Sequence, residues 1–261
     1  MPFNVKGLHA VRAGSGPGPL LVFSHALGLD HQMWASVVEA LAAKHPMLLY
    51  DHRGHGRSGY GGGAWTLDDL VEDAAALIRS QADAPVVFVG LSMGGMVAQG
   101  LAVRHPELLR GVVLAHTVAA YGEAARQAWA QRVDTVRSSG MAAVVDTVVA
   151  RYLGREFLVA HPQAAEALRA TLLANDPSAY AASCQAVAQV DWLAALPTVR
   201  CPALVIAGRH DLGAPVEEAQ RITAAIPHAQ LQILEHSAHL SPLEEPLALV
   251  AALRHFLQSL P

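Results

Sequence analysis

The chain has 261 residues, of which 52% are hydrophobic and only 15% charged, with a net charge of −4. That is enough to bury a sizeable core, at the upper end of what one domain holds. No run of five or six like charges occurs, which argues against a nucleic-acid or membrane surface as partner. The opening stretch, MPFNVKGLHAVRAG, lacks the basic-then-apolar layout of a secretory signal. No apolar run approaches the length of a bilayer span, and PLLVFSHALGL is broken by Ser24 and His25. Cys184 and Cys201 are too few for a disulfide framework and lack metal-site spacing, so both are expected to be buried free thiols. The expectation is a soluble, cytoplasmic protein, with no cofactor and no metal.

In chain order, strands are expected at 19–25, 46–51, 85–90, 111–116, 202–208 and 229–236. Most are unbroken apolar runs, the pattern of strands covered on both faces. Helices are expected between and after them at 31–43, 66–81, 92–104, 216–226 and 245–258. This alternation predicts an α/β fold, with a mostly parallel sheet, right-handed crossovers and helices on both faces. Residues 119–190 break the rhythm, being alanine-rich and helical with no strand of the earlier kind. They are read as a helical cap inserted in a core of residues 1–118 and 191–261. The simpler alternative is that they only thicken the outer helix layer.

Ligands of such sheets bind beyond the carboxyl ends of the strands. At one such end stands Gly90-Leu91-Ser92-Met93-Gly94, a G-x-S-x-G between a buried strand and a helix. Glycines at the flanking positions permit a sharp turn that exposes the serine hydroxyl, and the next helix aims its N-terminal N–H groups at the same point. The plain alternative is a serine N-cap. A serine nucleophile needs a base, and the base an orienting acid. Among 14 histidines, His239 is favoured because it lies in the loop after the last strand and precedes LSPLEEP. His236 is its rival. Asp211, after the preceding strand, is the candidate acid and gives the order Ser, Asp, His; Asp191 is an alternative with no strand before it. The backbone N–H groups of Met93 and Leu27 are the candidate oxyanion donors.

FSHALGLDHQMW, LLYDHRGHGRSG, GLSMGGMVAQGLA, LVIAGRHDLGAP and HSAHLSPLEEP, in that order, resemble the landmarks of the α/β-hydrolase fold family. The turn from Asp51 to Ser58 is a hallmark of that family, structural in nature. ALGLDHQMW, WAQRVDTVRSSGMAAVVDTVVARYL and NDPSAYAASCQAVAQVDW resemble the 3-oxoadipate enol-lactonases more closely. One departure is His25, where that group often carries a small polar residue. The resemblance implies opening of a cyclic enol ester with an acetate arm. Trp129 and Arg132, three apart on one helical face, are then the candidates to cover the ring and pair with the carboxylate. Trp34 and Trp192 are expected to be packing residues.

Other functions stay open on the same residues: a general carboxylesterase, a C–C bond hydrolase or a perhydrolase. A ligand-binding or signalling protein on a hydrolase fold is a further possibility. DHRGHG is read as a turn and not as a metal ligand set.

Overall fold

The computed structural model describes residues 2–5 and 7–261, with side-chain environments from residue 7 onward. Eight strands form one sheet: β1 (Pro2–Val5), β2 (Leu8–Ala13), β3 (Leu21–Ser24), β4 (Met47–Tyr50), β5 (Val86–Leu91), β6 (Leu109–Ala115), β7 (Ala203–Gly208) and β8 (Gln230–Leu234). Their order is β1-β2-β4-β3-β5-β6-β7-β8. The six from β4 to β8 run parallel, as expected, and every residue of β3, β4, β5 and β7 is buried. The antiparallel pair β1 and β2 was not anticipated. Described residues of β2 alternate between more and less buried positions, so it lacks the unbroken apolar run of an interior strand.

Helices α1 (Ala35–Leu41), α2 (Leu67–Gln81), α3 (Met93–Arg104), α9 (Val216–Ala225) and α11 (Pro246–Ser259) cover the sheet. Sequence sets their starts. Asp30 Oδ1 accepts from Gln32 N ahead of the 3-10 turn His31–Trp34, and Thr66 with Asp69 forms a capping box on α2. Helix α3 is buried from Met93 to Ala102, which explains why it is apolar all round.

Between β6 and β7 come α4 (Glu123–Ser139), α5 (Val145–Tyr152), α6 (Arg155–Ala160), α7 (Pro162–Leu173) and α8 (Pro177–Ala188). The two ends of this segment meet. Ala120 bridges to Asp191, and Trp192 N donates to Ala119 O at 2.7 Å. A short helix α10 (Ser241–Glu244) precedes α11. Trp34 and Trp192 are buried packing residues, as expected. Cys184 is a buried free thiol, but Cys201 is only half-buried, because it opens the loop before β7 instead of lying within the strand. Among the described residues no helix is long and apolar enough to cross a membrane.

Candidate active site

Strand register brings the site together. Ser24 pairs with Gly90, Leu91 with Ala115, Ala115 with Ile206 and Gly208 with Leu234, so the carboxyl ends of β3, β5, β6, β7 and β8 share one edge. The loops that leave this edge carry Leu27, Ser92, His116, Asp211 and His239.

Ser92 joins β5 to α3 with φ 56° and ψ −113°, a conformation residues other than glycine rarely adopt. It is held there by Ser92 N donating to Ala115 O (2.9 Å) and by Thr117 Oγ1 donating to Ser92 O (2.8 Å). The turn is too tight for side chains on either flank. A Cβ at Gly90 would land on Gly94 O, and one at Gly94 on Ser24 O. The hydroxyl makes no capping bond to α3, so the N-cap alternative fails and Oγ is left to other uses.

Asp211 follows β7 and is buried. Its Oδ1 accepts from Gly213 N (2.7 Å) and Ala214 N (2.9 Å). Its Oδ2 accepts from His239 Nδ1 at 2.8 Å. Burial works against ionisation, yet the adjoining His239 and the hydrogen bonds from His116 and His239 outweigh it and hold this carboxyl far below the usual range. The His239 ring stacks on Tyr152 of α5 (centroids 5.0 Å apart, 23° between planes). The two alternatives named from sequence do not join this group: His236 and Asp191 are both exposed.

The N-terminus of α3 abuts the end of β3, which brings Met93 N and the loop bearing Leu27 to the same corner. Neither the Leu27 nor the Met93 N–H donates to another described residue. Leu27 O accepts from Tyr152 Oη at 2.8 Å, fixing that loop. Arg132 lies half-buried on α4, its guanidinium 4.7 Å from the Trp129 ring centre. It faces Tyr180, Cys184 and Tyr152, and it pairs with no carboxylate among the described residues.

A model of the alpha/beta hydrolase fold matches residues 19–246. The chain belongs to this family. This hydrolase is 35% identical over 90% of its length to 3-oxoadipate enol-lactonase 2 of Acinetobacter baylyi, covering 87% of that protein. It is 26% identical to the (E)-2-((N-methylformamido)methylene)succinate hydrolase of the same organism, covering 94% and 93% of the two chains. Among solved structures it is similar to the enol-lactonase of Burkholderia xenovorans LB400, with 33% identity, a TM-score of 0.94 and coverage of 99% and 100%.

Four residues that surround the site of this hydrolase were not singled out in the sequence. His116 directly follows β6 and is the second histidine on Asp211. Tyr152 is described above. Arg151 brings Nε to 3.3 Å from where a Cβ on Gly213 would lie, a point that is also 3.2 Å from Asp211 Oδ1 and His239 Nδ1. Glu244 of α10 accepts from Gly154 N (2.7 Å), Ala238 N (3.0 Å) and Leu240 N (3.1 Å), pinning the loop of His239 to the helical segment. Only His116 carried a signal, as the last residue of an apolar run on the ligand edge.

Among the described residues, two sets of side chains could bring three donors to a common point: His9, His31 and Asp51, and His116, Asp211 and His239. Asp51 is already engaged, with Oδ1 accepting from His31 N (2.8 Å) and Nδ1 (2.7 Å) and Oδ2 from Arg57 N (2.9 Å). Burial opposes its ionisation, but these bonds draw the carboxyl down to about 2. The DHRGHG stretch is thus a hydrogen-bonded turn, closed by Ser58 Oγ donating to Asp51 O at 2.6 Å.

Proposed function

We propose that this hydrolase opens a small, carboxylate-bearing enol-lactone, of the 3-oxoadipate enol-lactone type, through an acyl-enzyme on Ser92. His239 Nε2 takes the proton of Ser92 Oγ as that oxygen attacks the ring carbonyl. Asp211 holds His239 in the tautomer with hydrogen on Nδ1 and stabilises the imidazolium. The developing oxyanion meets the N–H groups of Leu27 and Met93. Collapse expels the enolate oxygen, which receives the proton from His239, and ring opening leaves an acyl-serine. Water then repeats the sequence, with His239 again as base, and frees Ser92 and a second carboxylate. In this reading residues 119–190 are the cap that closes over the substrate.

The observation that carries the substrate half is the guanidinium of Arg132, half-buried against the Trp129 ring and without a carboxylate among the described residues to neutralise it. Drawing a charge partly out of water without a counter-ion is costly, and a substrate carboxylate would supply one. The names of the enol-lactonase and succinate hydrolase relatives support the same chemistry.

Arg132→Ala tests it. For a carboxylate-bearing lactone kcat/KM should fall about ten- to hundredfold, chiefly through KM, while turnover of a neutral aryl ester hardly changes. Arg132→Lys should recover part of the loss, since a point charge lacks the planar fork. Equal effects on both substrates, or none, would remove the lactone reading and leave a general ester hydrolase.

A further inference from the structure

Behind the Asp211–His239 pair lies a second imidazole. His116 is 1% exposed and sits at φ 49°, a strained conformation for a histidine. Its backbone N donates to Ile206 O of β7 at 2.8 Å. Its ring spans two partners, with Nδ1 3.1 Å from Asp211 Oδ2 and Nε2 2.8 Å from Ser241 Oγ. Asp211 Oδ2 therefore receives two imidazole nitrogens, His239 Nδ1 and His116 Nδ1. An ionised carboxylate only accepts, so both Nδ1 atoms must carry hydrogen. In a neutral ring Nε2 is then an acceptor, and the Ser241 hydroxyl is the donor beside it.

We infer that His116 is a positioning residue, a neutral buried donor that fixes Asp211 Oδ2 and takes a share of its charge, thereby setting the pH range over which His239 serves as base. This rests on the reading of Ser92, His239 and Asp211 given above. A carboxylate that points all its charge at one imidazole favours the imidazolium, and a second donor on the same oxygen weakens that pull. Without it the free base is available only at higher pH.

Other charged or titratable groups face the pair from each neighbouring element. Arg151 of α5 stands beside Gly213, and Tyr152 of the same helix stacks on His239. Tyr121 lies close enough to Asp211 to sense its charge, and Arg132 of α4 lies beyond Tyr152. Glu244 of α10 is committed to backbone N–H groups. None of them donates a hydrogen bond to Asp211, and none changes in the variants below.

The test is the pH profile of kcat/KM for 4-nitrophenyl acetate in the unmodified protein, His116→Phe and His116→Asn. Phenylalanine fills the ring volume without a donor. Asparagine places an amide N–H where Nδ1 stands, cannot titrate, and tolerates positive φ. His116→Phe should move the acidic limb up by about one pH unit. His116→Asn should return the limb to its original place. Identical limbs in all three proteins would reduce His116 to packing, and a His116→Asn limb that moves with His116→Phe would show that donation is not the cause. Either result overturns the inference. Ser92→Ala runs in parallel: turnover retained there takes down the underlying reading and this inference together, whereas an inactive Ser92→Ala with unmoved limbs overturns the inference alone. Should His116→Phe fail to fold, histidine 15N NMR of the unmodified protein decides. A neutral His116 ring with hydrogen on Nδ1 supports the inference, and any other protonation pattern refutes it.

Discussion

Ser92 owes its free hydroxyl to its neighbours, since Gly90 and Gly94 admit a turn that a Cβ would block and α3 does not use Oγ as a cap. Removing that atom leaves the elbow intact but deletes the proposed nucleophile. Ser92→Ala should therefore lower kcat for esters or lactones by at least roughly a thousandfold, leaving what binding and the oxyanion donors supply. His239→Ala should match it, and the double variant should be barely worse, because residues acting as one unit do not add. His236→Ala should change little, because that side chain is exposed and only its backbone is engaged, with N donating to Glu245 Oε2 at 3.1 Å. If His236→Ala proves the damaging change, the base lies three residues earlier than proposed. Ser92, Asp211 and His239 could be named as candidates in advance because each follows an apolar run in a fixed order. The roles of His116 and Glu244 could not, since Asp211 and Gly154 lie far off in sequence and only the completed fold brings them near.

At the scale of elements, α5 does more than cover the sheet. Its last residue, Tyr152, stacks on His239, accepts from His239 N through its carbonyl (3.3 Å) and donates its hydroxyl to Leu27 O. One phenol thus links the loop of the candidate base to the loop of a candidate oxyanion donor. Burial raises this phenol well above its ordinary value, so it stays a donor across the working pH range. Tyr152→Phe keeps the stacking and leaves a buried carbonyl unsatisfied, which costs about 1–3 kcal/mol of stability. Since the loosened loop bears Leu27 N, kcat should fall more than KM changes. A lower melting temperature with unaltered kcat would show that α5 supports the fold without shaping the site. The helices of residues 119–190 were readable because alanine-rich sequence without strand runs leaves few other forms. Which face Tyr152 and Arg151 present was not, because neighbouring helices decide that. The hairpin of β1 and β2 escaped for the opposite reason, its alternation at the sheet's edge being weaker than the signal of a buried strand.

For the molecule as a whole, alternating apolar runs and helices were enough to anticipate the parallel sheet, because a strand covered on both faces must be apolar throughout. The response to acid was hidden, because it arises from histidines gathered from two loops. His25, His52 and His55 are buried within 6.4 Å of one another by ring centres. Burial lowers all three, against the pull of Asp51 at His25 and helped by the neighbouring His25 at His52 and His55, with His55 drawn down to about 3. Each is therefore neutral in the folded state while the unfolded chain takes up protons near pH 6.5. Their contribution to stability is present above that pH and is lost as pH falls toward the folded values. Asp51, drawn down to about 2, adds a later loss that begins near the ordinary aspartate value and runs to about pH 2. His31 works the other way: raised chiefly by its bond to Asp51, it stabilises below pH 6.5 and loses that effect as pH rises through its folded value. The protein should accordingly begin to weaken near pH 6, well before its carboxylates titrate. His55→Asn isolates one histidine. Its amide can keep the bond that His55 Nδ1 makes to Arg53 O (3.1 Å), and the Nε2 it lacks has no partner to lose. Between pH 7.5 and 5.0 the variant should lose less unfolding free energy than the unmodified protein, by about 2 kcal/mol. Denaturant titrations at the two pH values measure this directly. Equal losses in both proteins would mean that His55 carries no proton penalty, and the early acid weakening would then have to come from His25 and His52 alone.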